Sequence, residues 1–278
     1  MTKNLNAILP SRHLEGFVST ESRGGFLCSS KNGNFSRQLS KLQDHKWEFS
    51  RPPLAWAVSC GLVDVTEDLL RTNRSCIEDR DVLGKCALHE CCAGVGRGGQ
   101  GLVSSLKILT LLLDAGAHVD ASSSSGQTAM HYLLSTAPDT NGSLSEEDIA
   151  SIRSIRLQVL HKLLDWGASP NLRDLQGLTS VHYCAKRDIV DCLALILNYK
   201  ANIYCLTSSG SNVLHLACQA NAVECVELLS YWEADAYQEG LIGQRDRRGR
   251  LPLQLFSASK RVSASNLWLA CRKGDYAE

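Results

Sequence analysis

The chain has 278 residues, 44% hydrophobic and 21% charged, with 29 basic against 29 acidic side chains. That is the composition of one or two soluble domains or of one elongated array. A net charge of zero supplies no long-range pull toward nucleic acid or an anionic membrane, and apolar runs such as 108–113 are far too short to span a bilayer.

Taken in order, residues 1–50 stand apart, rich in Ser, Asn and Gly (Ser29-Ser30-Lys31-Asn32-Gly33-Asn34) and poor in periodic apolar positions. Such a segment buries too little apolar surface to offset its ordering entropy. It is read as a disordered tail in preference to an organelle transit peptide, with 35–49 as one candidate helix. No charged start followed by an apolar stretch marks a secretory signal. The 12 cysteines, none in a C-x-x-C pair, are therefore read as reduced, small, buried side chains. The expected location is the cytoplasm, with the nucleus left open.

From residue 51 onward the chain repeats itself. A glycine is followed five residues later by histidine at Gly84/His89, Gly126/His131, Gly177/His182 and Gly210/His215, and by glutamine at Gly249/Gln254. The glycines are spaced by 42, 51, 33 and 39 residues, so one unit of 33 with insertions of 9, 18, 0 and 6 accounts for them all. Three residues before each glycine stands Asp81, Ser123, Asp174, Thr207 or Asp246. A small oxygen-bearing side chain first and glycine fourth is type I turn chemistry. Each unit closes on an apolar helix end followed by a cap: Leu112-Leu113-Asp114-Ala115-Gly116, Leu163-Leu164-Asp165-Trp166-Gly167, or Ile196-Leu197-Asn198-Tyr199-Lys200. Only the stretch 174–202 has no insertion, and it sets the ruler for the others.

In these stretches the sequence resembles the ankyrin repeat family. The matching segments are GKCALHECC (84–92), GQTAMHYLL (126–134), GLTSVHYCA (177–185), GSNVLHLAC (210–218) and GRLPLQLFS (249–257), with a degenerate opening copy at 52–70. The resemblance implies an all-α solenoid of stacked helix-turn-helix units with β-turn tips. Its expected repeats are 51–80, 81–122, 123–173, 174–206, 207–245 and 246–275, with 266–275 either closing the sixth or opening a seventh. It also implies that His89, His131, His182 and His215 are framework, linking neighbouring turns, together with Gly84, Gly126, Gly177, Gly210 and Gly249.

Other constellations are weighed against that frame. Cys91, Cys92, Cys184 and Cys218 sit near the histidines, where the family carries alanine, so they are read as small packing residues and not as zinc ligands. Gly94–Gly99 (GVGRGG) matches the dinucleotide-binding pattern letter for letter. It follows a helix instead of a strand, and is read as a flexible loop made by the nine-residue insertion. The 18-residue insertion is expected to lengthen the next helix, capped by Ser143 or Ser145 and led by Glu146, Glu147 and Asp148. Leu195 is read as a buried position of the central second helix. No nucleophile, phosphate-cradling loop or metal motif is found, so no enzyme activity, cofactor or metal is expected.

The expected function is that of an adaptor or scaffold binding another protein, with a monomer as the expected state. By resemblance, a partner would meet the turn tips and first-helix ends: Val82, Leu83, Lys85, Leu175, Gln176, Leu178, Lys186, Arg187, Arg247, Arg248 and Arg250. Leu175 and Leu178, with Val82 and Leu83, are expected at the solvent. The basic run 245–250 is read first as a solvated tip, then as a contact for acidic peptide or phosphate. Two rival readings remain open. The chain is the recognition segment of a larger signalling protein, channel or enzyme, or it is a thiol-rich redox or zinc protein.

Overall fold

The computed structural model describes residues 51–97, 102–136, 145–234 and 240–256. The expected tail at 1–50, the stretch 266–275 expected to close the sixth repeat or open a seventh, and residues 98–101, 137–144 and 235–239 lie outside the described residues. What is described is helical, without strands. Five helix pairs follow one another: α1 (Pro53–Ser59) with α2 (Val63–Thr72), α3 (Ala87–Arg97) with α4 (Leu102–Asp114), α5 (Ala129–Ser135) with α6 (Glu146–Asp165), α7 (Ser180–Arg187) with α8 (Val190–Asn198), and α9 (Val213–Ala220) with α10 (Val223–Ala234). A 3-10 turn at Pro252–Leu255 opens the next unit. The first helix of each pair packs on the first helix of the next pair, and the second helices pack likewise. The result is two layers, inner (α1, α3, α5, α7, α9) and outer (α2, α4, α6, α8, α10), with one continuous core running between them.

The turns that join the units are built as their residues dictate. In each, the Gly N–H donates to the carbonyl three residues back, from Gly84 to Asp81 through Gly249 to Asp246, at 2.9 Å. The five glycines sit at φ between 71° and 75°, a left-handed conformation that costs an L-residue about 1–2 kcal/mol. Successive tips are then stitched together: Ser124 N–H to Leu83 O, Leu175 to Ser125, Ser208 to Gln176 and Arg247 to Ser209, all between 2.9 and 3.1 Å. A Cβ on Gly177 would lie 3.0 Å from the Ser208 nitrogen and 3.2 Å from two Thr207 backbone atoms, whereas one on Gly249 would meet nothing within 4 Å. Gly177→Ala should therefore cost more than about 3 kcal/mol, and Gly249→Ala only the backbone penalty of about 1 kcal/mol. Urea unfolding of the two variants measures the difference; equal losses would mean that the stitching of tips contributes little.

The insertions are absorbed differently from one another. Ser145 caps α6, its Oγ accepting the Asp148 N–H while Asp148 Oδ2 accepts the Ser145 N–H, both at 3.1 Å. The 18-residue insertion thus lengthens the outer helix to 20 residues, as expected. Its first turn is exposed, but Ile152 and Arg156 are already buried, the latter donating from Nη2 to the Thr136 carbonyl at 3.1 Å. The reading of Gly94–Gly99 as a loop is corrected in part. Gly94 to Arg97 continue α3 as helix, because Val95 is fully buried and holds the extra turn against the core. Leu195 is also corrected: it is half-buried, while Leu193 and Ile196 on either side are fully buried.

Candidate protein-binding face

The inner helices α3, α5, α7 and α9 start with a reciprocal cap that uses the repeated histidine. The backbone N–H of Cys86, Thr128, Thr179 and Asn212 donates to Nδ1 of His89, His131, His182 and His215 respectively, at 3.0–3.2 Å. With Nδ1 accepting, the ring hydrogen sits on Nε2. From there His89 donates to the Gln127 carbonyl at 3.1 Å and His215 to the Arg250 carbonyl at 3.0 Å, each in the following tip. His89 and His215 therefore tie one repeat to the next, whereas Nε2 of His131 and of His182 is buried without a hydrogen-bond partner among the described residues. Gln254 keeps the first half of the device, its Oε1 accepting the Leu251 N–H at 2.9 Å. Burial pushes all four histidines toward the neutral form, His182 to about 4.

The cysteines complete the frame. Cys91, Cys92, Cys184 and Cys218 are buried where the inner helices pack, and burial pushes each thiol upward, Cys91 and Cys218 to about 12. Among the described residues no three His, Cys, Asp or Glu side chains converge on a metal-sized site.

A polar and aromatic strip lies along the inner layer behind the tips. Tyr132 packs edge-on against His89 and Tyr183 against His131, each with ring centres 5.3 Å apart. The Tyr183 hydroxyl accepts from Gln127 Nε2 at 2.6 Å and donates to Asp174 Oδ2 at 2.7 Å. Asp174 Oδ1 in turn accepts the Gln176 and Leu178 N–H groups. One tip aspartate thus braces its own turn, the next inner helix and the preceding tip.

Placed on this scaffold, the candidate contact residues separate into two groups. Val82 (79% exposed), Leu83 (55%) and Leu175 (76%) stand at the solvent on the tips. Gln176, Arg247, Arg248 and, at the end of α7, Lys186 and Arg187 are exposed as well. The remaining three are engaged by the framework. Leu178, expected at the solvent, is only 8% exposed and belongs to the core. Its N–H and C=O both return to Asp174, which turns the side chain beneath the tip. At the equivalent place Lys85 lies 3.2 Å from the buried Glu90 carboxylate, and Arg250 lies 2.7 Å from Asp246. Those two charges are committed to the framework.

The amino-acid pattern gave no hint of some exposed apolar groups. Tyr204 and Leu206 precede the fourth tip, and Trp166, Tyr231 and Trp232 lie at the ends of α6 and α10. On the outer layer Leu157, Gln158, His161, Lys162, Asp165 and Leu195 line an open groove of about 580 Å³.

A family model described as ankyrin repeats, in three copies, matches residues 149–239. The chain carries ankyrin repeats. Ankyrin repeats outside that span, at the tips beginning with Asp81 and Ser123, have the same turn and cap geometry. Among curated relatives, human SH3 and multiple ankyrin repeat domains protein 2 is 28% identical over 146 residues, 51% of this chain and 7% of that protein. Human ankyrin repeat and SOCS box protein 16 is 30% identical over 167 residues, 60% of this chain and 30% of that protein. The transient receptor potential channel pyrexia of Drosophila melanogaster is 39% identical over 74 residues, 26% of this chain and 8% of that protein. The chain thus spans between 7% and 30% of the length of these relatives. The solved ankyrin repeat domain of Bcl-3, described as a member of the IκB family, superposes with a TM-score of 0.57 at 20% identity over 83% of this chain and 91% of that one. At that identity the likeness shows the fold. An ankyrin repeat array is a protein–protein interaction module.

Proposed function

We propose that this chain is a non-enzymatic adaptor or scaffold that binds another protein through the face made by its tips and inner helices. One observation carries the reading: Val82, Leu83 and Leu175 hold large apolar side chains at the solvent on tips whose backbone is locked by the ladder of inter-tip hydrogen bonds. Rigid, exposed apolar groups of this kind favour a partner, because covering them loses little conformational freedom on the array's side. The protein would act as a monomer, in the cytoplasm or the nucleus. No cofactor enters the proposal.

Leu83→Glu combined with Leu175→Glu should lower partner capture by about tenfold or more while leaving thermal stability near wild type, since both side chains are already in water. Quantitative pull-down with the intact chain, paired with a melting curve for each variant, measures both. Undiminished capture by a folded double variant would exclude the tips as the contact.

A second reading, that this array is the recognition segment of a longer multidomain protein, is favoured by the small share of each curated relative that the chain spans. In that case the same face would still bind, and the activity would belong to sequence elsewhere.

A further inference from the structure

The geometry points to an acidic segment carrying apolar residues as the partner of the tip face. The inference rests on the reading of that face as a protein-binding surface and goes on to give the partner its chemistry. Although the chain is neutral, the carboxylates of its helices are segregated between layers. The inner helices α1, α3, α5, α7 and α9 contain a single carboxylate, Glu90, which is buried against Lys85 and Arg51. The outer helices carry Asp64, Glu67, Asp68, Asp114, Glu146, Glu147, Asp148, Asp165, Asp191, Glu224 and Glu227.

The tips sharpen the asymmetry. Their two outermost residues are Val82/Leu83, Ser124/Ser125, Leu175/Gln176, Ser208/Ser209 and Arg247/Arg248, all exposed and none acidic. The tip aspartates are turned inward: Asp81, Asp174 and Asp246 each accept two backbone N–H groups of their own turn. Asp188, exposed at the end of α7, accepts the Cys225 N–H at 3.3 Å. Within the basic run the roles divide. Arg245 donates to the Gly249 carbonyl and Arg250 pairs with Asp246, so these two build the turn. Arg247 and Arg248 are exposed and form no ion pair among the described residues.

Two guanidinium forks therefore stand beside a tip of exposed serines, with Lys186 and Arg187 at the end of an inner helix. Guanidinium groups pair with carboxylates in a bidentate fashion, and complementary charge sets both encounter rate and register. The apolar tips at Leu83 and Leu175 add the contact area that ion pairs at a solvated rim do not supply. A nucleic acid fits less well, because its phosphates would run past apolar tips as well as basic ones.

Selection of a random 16-residue peptide display library on the intact chain tests the inference. Enriched peptides should combine Asp or Glu with Leu, Ile or Phe, and their affinity should fall roughly tenfold in Arg247→Glu/Arg248→Glu, about two ion pairs' worth, and fall with salt. Enriched peptides that are neutral or basic, yet lose binding in Leu83→Glu/Leu175→Glu, would overturn the acidic partner and leave the tip face standing. Peptides indifferent to both double variants would overturn the tip face itself, and a selection that enriches nothing counts against both. A labelled single-stranded oligonucleotide that binds more tightly than the best peptide, with the same loss in the arginine variant, would also overturn the proposal.

Discussion

Ile196→Arg is expected to uncouple the array, costing more than about 4 kcal/mol and replacing one cooperative unfolding transition by two. Ile196 is fully buried in α8, where the fourth repeat meets its neighbours, and α8 packs on both α6 and α10. A guanidinium placed there has no acidic partner among the core residues around it, so the full desolvation cost falls on the fold. Because stability in a solenoid is a sum over neighbouring interfaces, a break in the middle leaves two short arrays that melt separately. Leu195→Arg supplies the control. Its side chain lines the open groove beside Asp165, where an arginine keeps its hydration, and it should cost less than about 1 kcal/mol. Circular dichroism followed through urea unfolding separates the two. A single, wild-type-like transition for Ile196→Arg would refute the nearest-neighbour picture.

That pair of variants also marks where the amino-acid pattern was legible and where it was not. The turn Gly, its Asp or Ser partner and the His five residues on are chemical necessities at fixed offsets, so 33-residue units emerged despite insertions. Within α8 the run Cys192-Leu193-Ala194-Leu195-Ile196-Leu197 is apolar throughout. An unbroken apolar run hides which side chains face the core, and only the packing of α6 and α10 settles that Leu193 and Ile196 do while Leu195 does not. The inward turn of Leu178 is hidden from the pattern for a related reason. The residue directly follows a left-handed glycine, and the two hydrogen bonds that close the turn on Asp174 rotate it inward. The glycines of 94–99 suggested a loop, but one buried side chain, Val95, is enough to extend the helix through Arg97. The division of labour among Arg245, Arg247, Arg248 and Arg250 could not be read from four identical letters. It depends on which of them face the Asp246 carboxylate and the Gly249 carbonyl.

The framework histidines give the array a predictable response to acid. In the folded state burial holds His182 at about 4, below the usual value of about 6.5. Arg173 and His131 push it the same way, and Asp174 opposes them. His89, His131 and His215 are displaced in the same direction by burial, with Arg80 and Glu90 facing the first, Asp174 and His89 the second, and Asp246 and Arg250 the third. A histidine whose folded-state value is depressed binds its proton in the unfolded chain first. Stability is therefore complete above about pH 6.5 and is lost progressively as pH falls toward 4. For His182 alone the difference amounts to roughly 3 kcal/mol. Below that window the carboxylates of Asp148, Asp165 and Asp246, held beneath their usual range, add a separate loss of their own. His182→Gln isolates the histidine contribution, because Gln254 demonstrates that a glutamine at this position still accepts the cap N–H. The variant should stay within about 2 kcal/mol of wild type at pH 7.5 and fall less steeply between pH 6.5 and 4. Urea unfolding at half-unit pH steps measures both curves. Parallel slopes would place the acid sensitivity elsewhere, and convergence of the two curves near pH 5 would assign it to the buried imidazole.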